Sequence, residues 1–452
     1  MPSVVAESQN DYTIESAVLS SNRTPTGEFS YEISRLITDF EVYEHLDKPY
    51  LTGNLMFVDK FGIIQRLDIQ GGESFEITIK SSQMPERLSS IVKKFKIGKI
   101  NNSVKLGDHE DVVSINLVED IAFDSTVKNI NKSFTGTASN IIEQILGTYL
   151  NKPIIYPDST FQSRMKIIVP NMHPLEAATW IKNTSTNKDG LPFYLFSVFG
   201  DDSLRFYDLG TLLTAEVMNR RIPYVYLQAV SQTQTMGQYT VVQSYDVRDH
   251  DNLLSLIRKG LVGSRNIFYD TFNGVFKDIK FDVGSDVFSM MADNNYFNDN
   301  QSRFNFGPDL KIDEQPIGDY NSKVISKISS SNIYKNIGNY KTLEEENSDG
   351  GYRKRLISNA LKHFMTKNPI TLQVSGRDYI MGEGTKTHYT IGNKIRFLCL
   401  DPLTDTGSEP KFDKKKSGDY IIYAAKHKFS VERYDIQLLC TKLASAVEDI
   451  EL

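Results

Sequence analysis

From Tyr12 to about Asp120 the chain alternates apolar and polar positions in short runs. In Ser74-Phe75-Glu76-Ile77-Thr78-Ile79, the side chains of Phe75, Ile77 and Ile79 fall on one side and those of Ser74, Glu76 and Thr78 on the other. That period of two predicts a strand with one buried face, as in a barrel wall or sandwich. Leu51-Thr52-Gly53-Asn54-Leu55-Met56-Phe57-Val58 is another such run, and turn residues separate the two. Between about 121 and 222 the period lengthens. Thr137 stands before Ile141, Ile142, Ile145, Leu146 and Tyr149, a cap followed by an apolar stripe at helical spacing, with Gly147 expected to weaken the helix near its end. A second helix is predicted to open at Pro174 and to carry Leu175, Ala178, Trp180 and Ile181, since proline is tolerated in a first turn. Strands from Pro192 to Val198 and from Leu204 to Tyr207 then flank a hairpin-like connection, Phe199 to Ser203.

Strands resume at about 223, followed by a helix holding Leu253, Leu254, Leu256, Ile257 and Leu261. Regularity fades from about 290 to 350, a stretch rich in Asn, Ser and Asp that predicts an irregular insertion with some order from its aromatics. A helix near Arg353 to Met365 places Leu356, Ala360 and Phe364 on one stripe. It delivers the chain to final strands through Ile370 to Val374, Ile391 to Leu400, Asp419 to Lys428 and Arg433 to Thr441.

The last strands can be laid over the first ones. Gly72 to Ile79 and Gly392 to Leu400 each show a glycine entering a strand, and each is followed by a polar loop. Lys94 to Ile100 then matches Tyr420 to Lys426, and Asp111 to Leu117 matches Tyr434 to Cys440. The expected fold is therefore α+β and mainly β: two related β-barrel-like domains with a small α/β domain between them and an irregular insertion in the second barrel. The expected boundaries are 1–120 for the first barrel, 121–222 for the α/β domain, 223–285 and 351–452 for the two parts of the second barrel, and 286–350 for the insertion.

Composition agrees with a folded chain of two to four domains: 452 residues include 23 Tyr and 25 Phe, which supply core and interface area. A formal charge of -6 argues against broad attraction to phosphate backbones, so no sequence-specific nucleic acid partner is expected. Cys399 and Cys440 are far apart, form no CxxC pair, and are expected as two buried thiols in a reducing compartment. The start, Met1 to Ser8, lacks the basic and apolar segments of a signal peptide, and no window approaches 18 apolar residues. No membrane span is expected, and the chain should stay in the cytoplasm in which it is made unless an assembly carries it out.

Candidate chemistry is sparse. Gly382-Glu383-Gly384-Thr385-Lys386-Thr387 fails the spacing of a phosphate-binding loop and is followed by strands, so a hairpin turn is the better reading. Asp293 to Asn300 lacks the glycine and terminal glutamate of a calcium loop. His45, His109, His173, His250, His363, His388 and His427 are scattered, with no HExxH and no cysteine pairing at zinc-finger spacing. No nucleophile signature is present, and the 57 Asp and Glu are too many to single out a pair of glycosidase acids. Two basic runs, Lys93-Lys94-Phe95-Lys96 and Lys414-Lys415-Lys416, read as exposed loops bordering strands. The expectation is a protein without catalytic residues, cofactor or metal.

The C-terminal pattern, Ser417-Gly418-Asp419-Tyr420 through Lys428-Phe429 and then Tyr434 to Leu439, resembles the central baseplate hub proteins of T4-like contractile-tailed bacteriophages. Ser244-Tyr245-Asp246, Leu253-Leu254, Gly260, Gly263-Ser264 and Asp270 resemble the same family in the same order, and the likeness spans most of the chain. The resemblance implies a structural, non-enzymatic homotrimer in the virion's tail baseplate, assembled in the host cytoplasm. Its two barrels per subunit would form a pseudo-six-fold ring between a hexameric tail tube protein and a trimeric cell-puncturing spike, with baseplate wedge proteins around it. It assigns no interface residue. A hub of a related contractile injection or secretion system is the nearest alternative, and a tail-associated glycan hydrolase or glycan-binding protein a more distant one.

Overall fold

The computed structural model describes residues 12–24, 27–81, 90–107, 110–157, 165–220, 222–226, 240–248, 252–270, 274–296, 302–304, 311–329, 349–376, 379, 390–401, 412–431 and 433–446. The architecture is α+β and mainly β. The N-terminal unit holds β1 (Tyr12–Thr24), β2 (Gly27–Glu32), β3 (Ile37–His45), β4 (Thr52–Asp59), β5 (Ser74–Ser81), β6 (Ile91–Lys105) and β7 (Asp111–Glu119). They lie in the order β3–β4–β7–β6–β5–β1–β2, every pair antiparallel. Alternation does the work predicted for it: Phe40, Leu55, Phe57, Phe75, Phe95, Ile115 and Leu117 all turn into one core.

The middle unit contains β8 (Ile130–Gly136), β9 (Ile154–Ile155), β10 (Met165–Met172), β11 (Phe193–Ser197) and β12 (Leu204–Asp208). Helices Ala138–Leu150 and Pro174–Thr184 stand where the spacing places them, the first capped by the Thr137 hydroxyl accepting from the Asn140 N–H and the second opened by its proline. Gly147 does not end the first helix, because Leu146 and Leu150 are buried on its inner stripe and hold the last turn. β11 is buried along its whole length. Its Phe193 and Leu195 enter the middle unit's own core, while Tyr194 and Phe196 enter the large core shared by the flanking units. One strand thus serves as a wall for two cores, which explains its unbroken apolar run.

The C-terminal unit begins with β13 (Tyr224–Tyr226), β14 (Thr240–Val241) and β15 (Ser244–Val247). Next come β16 (Gly263–Asp270), β17 (Val275–Asp282), β18 (Ser302–Phe304), β19 (Lys311–Ile312), β20 (Gln315–Pro316) and β21 (Val324–Ser329). The helix Asp349–Met365 leads to β22 (Ile370–Ser375), β23 (Lys394–Cys399), β24 (Gly418–Ser430), β25 (Arg433–Thr441) and β26 (Ala444–Ala446). β16 and β17, which the sequence pattern assigns to the second barrel, instead pair with each other and, through β16, with β21 in a separate three-stranded sheet. The stretch read as irregular therefore contributes an ordered strand. Its partner lies more than fifty residues upstream in a parallel pairing, which leaves no local signal.

Of the other C-terminal strands, β18 pairs with β26 and β19 with β20, while seven repeat the N-terminal unit strand for strand. Their order is β15–β22–β25–β24–β23–β13–β14, taken by the chain in the same succession as β3–β4–β7–β6–β5–β1–β2. The long segment between β15 and β22 replaces the short connection between β3 and β4. One difference is that β13 runs parallel to β23, where β1 is antiparallel to β5. The match extends to single hydrogen bonds. Gly72 N–H donates to Ile97 O at 2.7 Å and Ile97 N–H to Glu73 O at 2.9 Å, while Gly392 donates to Ile422 O and Ile422 to Asn393 O, both at 2.9 Å. Both glycines hold left-handed φ, +89° and +80°, which is the physical reason for glycine at the entry of each strand. Immediately beyond, both units shift register, at Ile97/Lys99 and at Ile422/Ala424.

Candidate assembly interface

The two repeats meet along β24. Its first residues, Gly418 to Ile421, pair with β23; past the register shift, Ala424 to Ser430 pair with β3, while β25 follows the opposite edge. This change of partner fuses both units into one 14-stranded sheet. On the outer face of the seam, Lys426 Nζ lies 2.8 Å from Glu41 and Lys428 Nζ 3.9 Å from Asp39. Burial works to raise the Glu41 carboxyl, but hydrogen bonds from Lys426 and Tyr43 outweigh it and hold the carboxyl below its usual range.

On the inner face the seam is aromatic. Phe429 stacks on Tyr434 with ring centroids 4.3 Å apart and on Phe40 at 5.8 Å, meets Tyr12 edge-on at 5.1 Å, and lies 5.8 Å from Phe199 of the middle unit. All three parts of the chain therefore converge on one ring. Beside it a buried polar chain runs from Tyr434 OH to His427 Nδ1 at 2.7 Å, with His427 Nε2 facing Glu44 Oε2 at 3.2 Å without hydrogen-bond alignment. The other Glu44 oxygen accepts from the Phe199 N–H. Burial, and then the charge of Glu44, push the Tyr434 phenol well above its ordinary value.

The β11–β12 hairpin is pinned to the N-terminal unit by further buried charge. Lys93 Nζ donates to Val198 O at 3.0 Å and to Asp201 O. Its burial lowers the ammonium pKa, opposed by the nearby Glu119 carboxylate. Glu119 in turn accepts from Leu51 N–H at 2.8 Å and from Ser197 OH at 2.9 Å, with Lys152 at 3.6 Å. Buried ionic groups here join units; each reaches across a boundary between elements distant in sequence.

Several candidate residues can now be placed. Lys93 is not on an exposed loop: it sits within β6 with its side chain buried, as the alternation of Ile91, Lys93, Phe95 and Ile97 could have signalled. Lys94 is exposed on the opposite face of that strand, and Lys414 to Lys416 do form a turn. His427 is buried at the seam, His45 packs edge-on against Tyr423, and His173 precedes the helix Pro174–Thr184. Gly382 to Thr387, His109, His250, His388 and Asn298 to Asn300 lie outside the described residues. Cys399 and Cys440 are buried free thiols, and burial pushes the Cys440 thiol up. Among the described residues no three His, Cys, Asp or Glu side chains gather as a metal set, and no helix is long and apolar enough to cross a membrane.

Among the strand edges without a partner within the described residues, two lie at places in the repeat equivalent to the joined edges of β24 and β3. β6 loses β5 after Lys96, so Gly98 to Lys105 keep only β7, and most of their side chains are exposed. β15 pairs with β22 alone, and Val247 on it is 48% exposed against 50% for Val104 on β6. The sequence marks neither edge, since an edge is defined by which strand is missing.

No family model and no curated protein matches the chain. Solved structures do. A tail protein from Neisseria meningitidis MC58 superimposes with a TM-score of 0.52 at 11% identity, over 96% of this chain and 97% of that one. The 43 kDa tail protein of prophage MuSo2 from Shewanella oneidensis gives 0.50 at 10% identity, over 95% and 98%. A type VI secretion system component from Escherichia coli gives 0.42 at 8%, over 95% and 76%. The first two share the fold of this chain from end to end.

Proposed function

We propose that the chain is a structural hub protein of a contractile phage tail baseplate, acting as a homotrimer between a hexameric tube and a trimeric central spike. The observation that carries this reading is the duplicated seven-strand order. Three copies of a chain with two like units present six like units, while the unlike middle unit and the β16–β17–β21 sheet keep three-fold character. The end-to-end likeness to two tail proteins, one of them from a prophage, supports the same setting. In this reading the chain does its work by contact, in the tail of the virion, with spike, tube and wedge proteins as partners and no reaction of its own.

The mass of the purified chain by light scattering tests the reading, together with its co-migration with spike and tube proteins from the same tail. A trimer that binds both, and that shows six similar lobes in electron micrographs, is expected. A chain that stays monomeric up to about 100 μM and binds neither partner would overturn it, since an obligate hub interface of several thousand Å² should assemble well below that concentration.

A further inference from the structure

We infer that the free part of β6 in one copy pairs antiparallel with β15 of the next copy, so that the seam between units inside a chain is reproduced between chains. The inference rests on the trimeric reading above and adds its residue-level register. Its argument is the internal repeat. In the C-terminal unit, the part of β24 beyond the register shift takes β3 of the other unit as its partner. The equivalent part of β6, beyond the equivalent shift, has none among the described residues. β15 holds the place in its unit that β3 holds in the other, and no described residue pairs with its outer edge.

The register follows from shared neighbours. β24 residues His427, Lys428 and Phe429 face Ile436, Asp435 and Tyr434 on β25 and Val42, Glu41 and Phe40 on β3. The pairings of β22 with β25 and of β4 with β7 then equate those β25 positions with the ones that Ser103, Val104 and Lys105 face on β7. By the same route β3 maps onto β15, with Val247, Asp246 and Tyr245 in place of Val42, Glu41 and Phe40. Ser103 of one copy therefore opposes Val247 of the next, Val104 opposes Asp246, and Lys105 opposes Tyr245. The residue types carry over on β15: valine for valine, acid for acid, aromatic for aromatic.

The physical drive is the removal of two open edges. Unpaired strand edges with exposed valines are templates for uncontrolled pairing, and a ring that joins each edge to its complement abolishes them. The contact is heterologous, β6 to β15 and never β6 to β6, so it closes only if the rotation per copy divides a full turn. Three copies would alternate three seams within chains with three between chains.

Cysteine pairs read the register directly. Directly opposed residues place Cα atoms about 4.5–5.5 Å apart, within disulfide reach, whereas a slip of three residues adds roughly 10 Å and forbids the bond. The double variants Ser103→Cys/Val247→Cys and Val104→Cys/Asp246→Cys, oxidised with diamide in the full-length chain, should each give covalent trimers on non-reducing gels. Ser103→Cys/Ser244→Cys and the unsubstituted chain, whose two thiols are buried, should give at least tenfold less. A trimer by light scattering in which neither matched pair cross-links would overturn the strand pairing while leaving the trimeric reading intact. A monomer at every concentration would overturn both. Matched pairs that yield an unending ladder instead of stopping at three would uphold the pairing and overturn its closure.

Discussion

If Phe429 is the point where three units converge, truncating it to alanine should weaken the whole chain, not one domain. The ring is fully buried and makes four aromatic contacts, two stacked or nearly so, to residues of the N-terminal, middle and C-terminal parts. Phe→Ala at a buried site costs about 3–5 kcal/mol through lost transfer energy and the cavity left behind. Aromatic pairs add about 0.5–1.5 kcal/mol each beyond area, and the rigid surroundings of the strand seam limit collapse, so the upper part of the range, about 4–5 kcal/mol, is expected. In a unit of this size that corresponds to a fall of roughly 8–20 °C in the transition that includes the seam. Differential scanning calorimetry measures it, with Phe61→Ala, whose ring is 58% exposed, as the control expected to move stability by no more than about 0.5 kcal/mol. Phe429→Leu, which keeps most of the apolar volume, should recover over half of the loss. Equal, small shifts for Phe429→Ala and Phe61→Ala would refute the claim that this ring holds the units together.

Three further outcomes follow from the same region and its surroundings. Gly376→Ala would place a methyl 2.3 Å from the Tyr434 ring, so thermal melts should show a loss of about 1–3 kcal/mol through overpacking. Lys93→Met leaves the carbonyls of Val198 and Asp201 without that donor; hydrogen exchange should rise in residues 197–203 ahead of the rest, with a cost of about 1–3 kcal/mol. Burial lowers Lys442 from 10.5 to about 7, so the unfolded chain binds this proton more tightly than the native one between those values, and stability must rise with pH across that window. From pH 7 to 9 the group contributes a gain of about 2 kcal/mol, a slope that urea titrations should find in the parent chain and missing in Lys442→Met.

Local features were open to reading and remote ones were not. Thr137 and Pro174 marked the two middle helices because capping and proline chemistry act within one turn. Gly72 and Gly392 mark the repeat because both occupy the same left-handed entry, although matching Lys94 to Ile100 with Tyr420 to Lys426 is one residue out of step, since Ile97 corresponds to Ile422. The run Pro192 to Val198 announced a strand but not that its two faces belong to different cores. Lys93 was misread because a cluster of lysines suggests solvent, while its own alternation with Ile91 and Phe95 pointed inward. The sheet of β16, β17 and β21 and the union of β3 with β24 depend on pairings over long separations, where only tertiary packing decides.

The union of β3 with β24 also sets an order in time. Asp39 and Ser430, hydrogen-bonded across the seam, are 391 positions apart. At about 5–20 residues per second, a ribosome needs roughly 20–80 s to supply the partner after β3 has emerged. Through that interval the N-terminal unit can complete its own sheet yet carries an open edge at β3, the counterpart of the outer edge of β15. Nascent chains on one message are thus exposed to premature exchange of strands. Slower synthesis near the end of the chain should increase strand-exchanged oligomers.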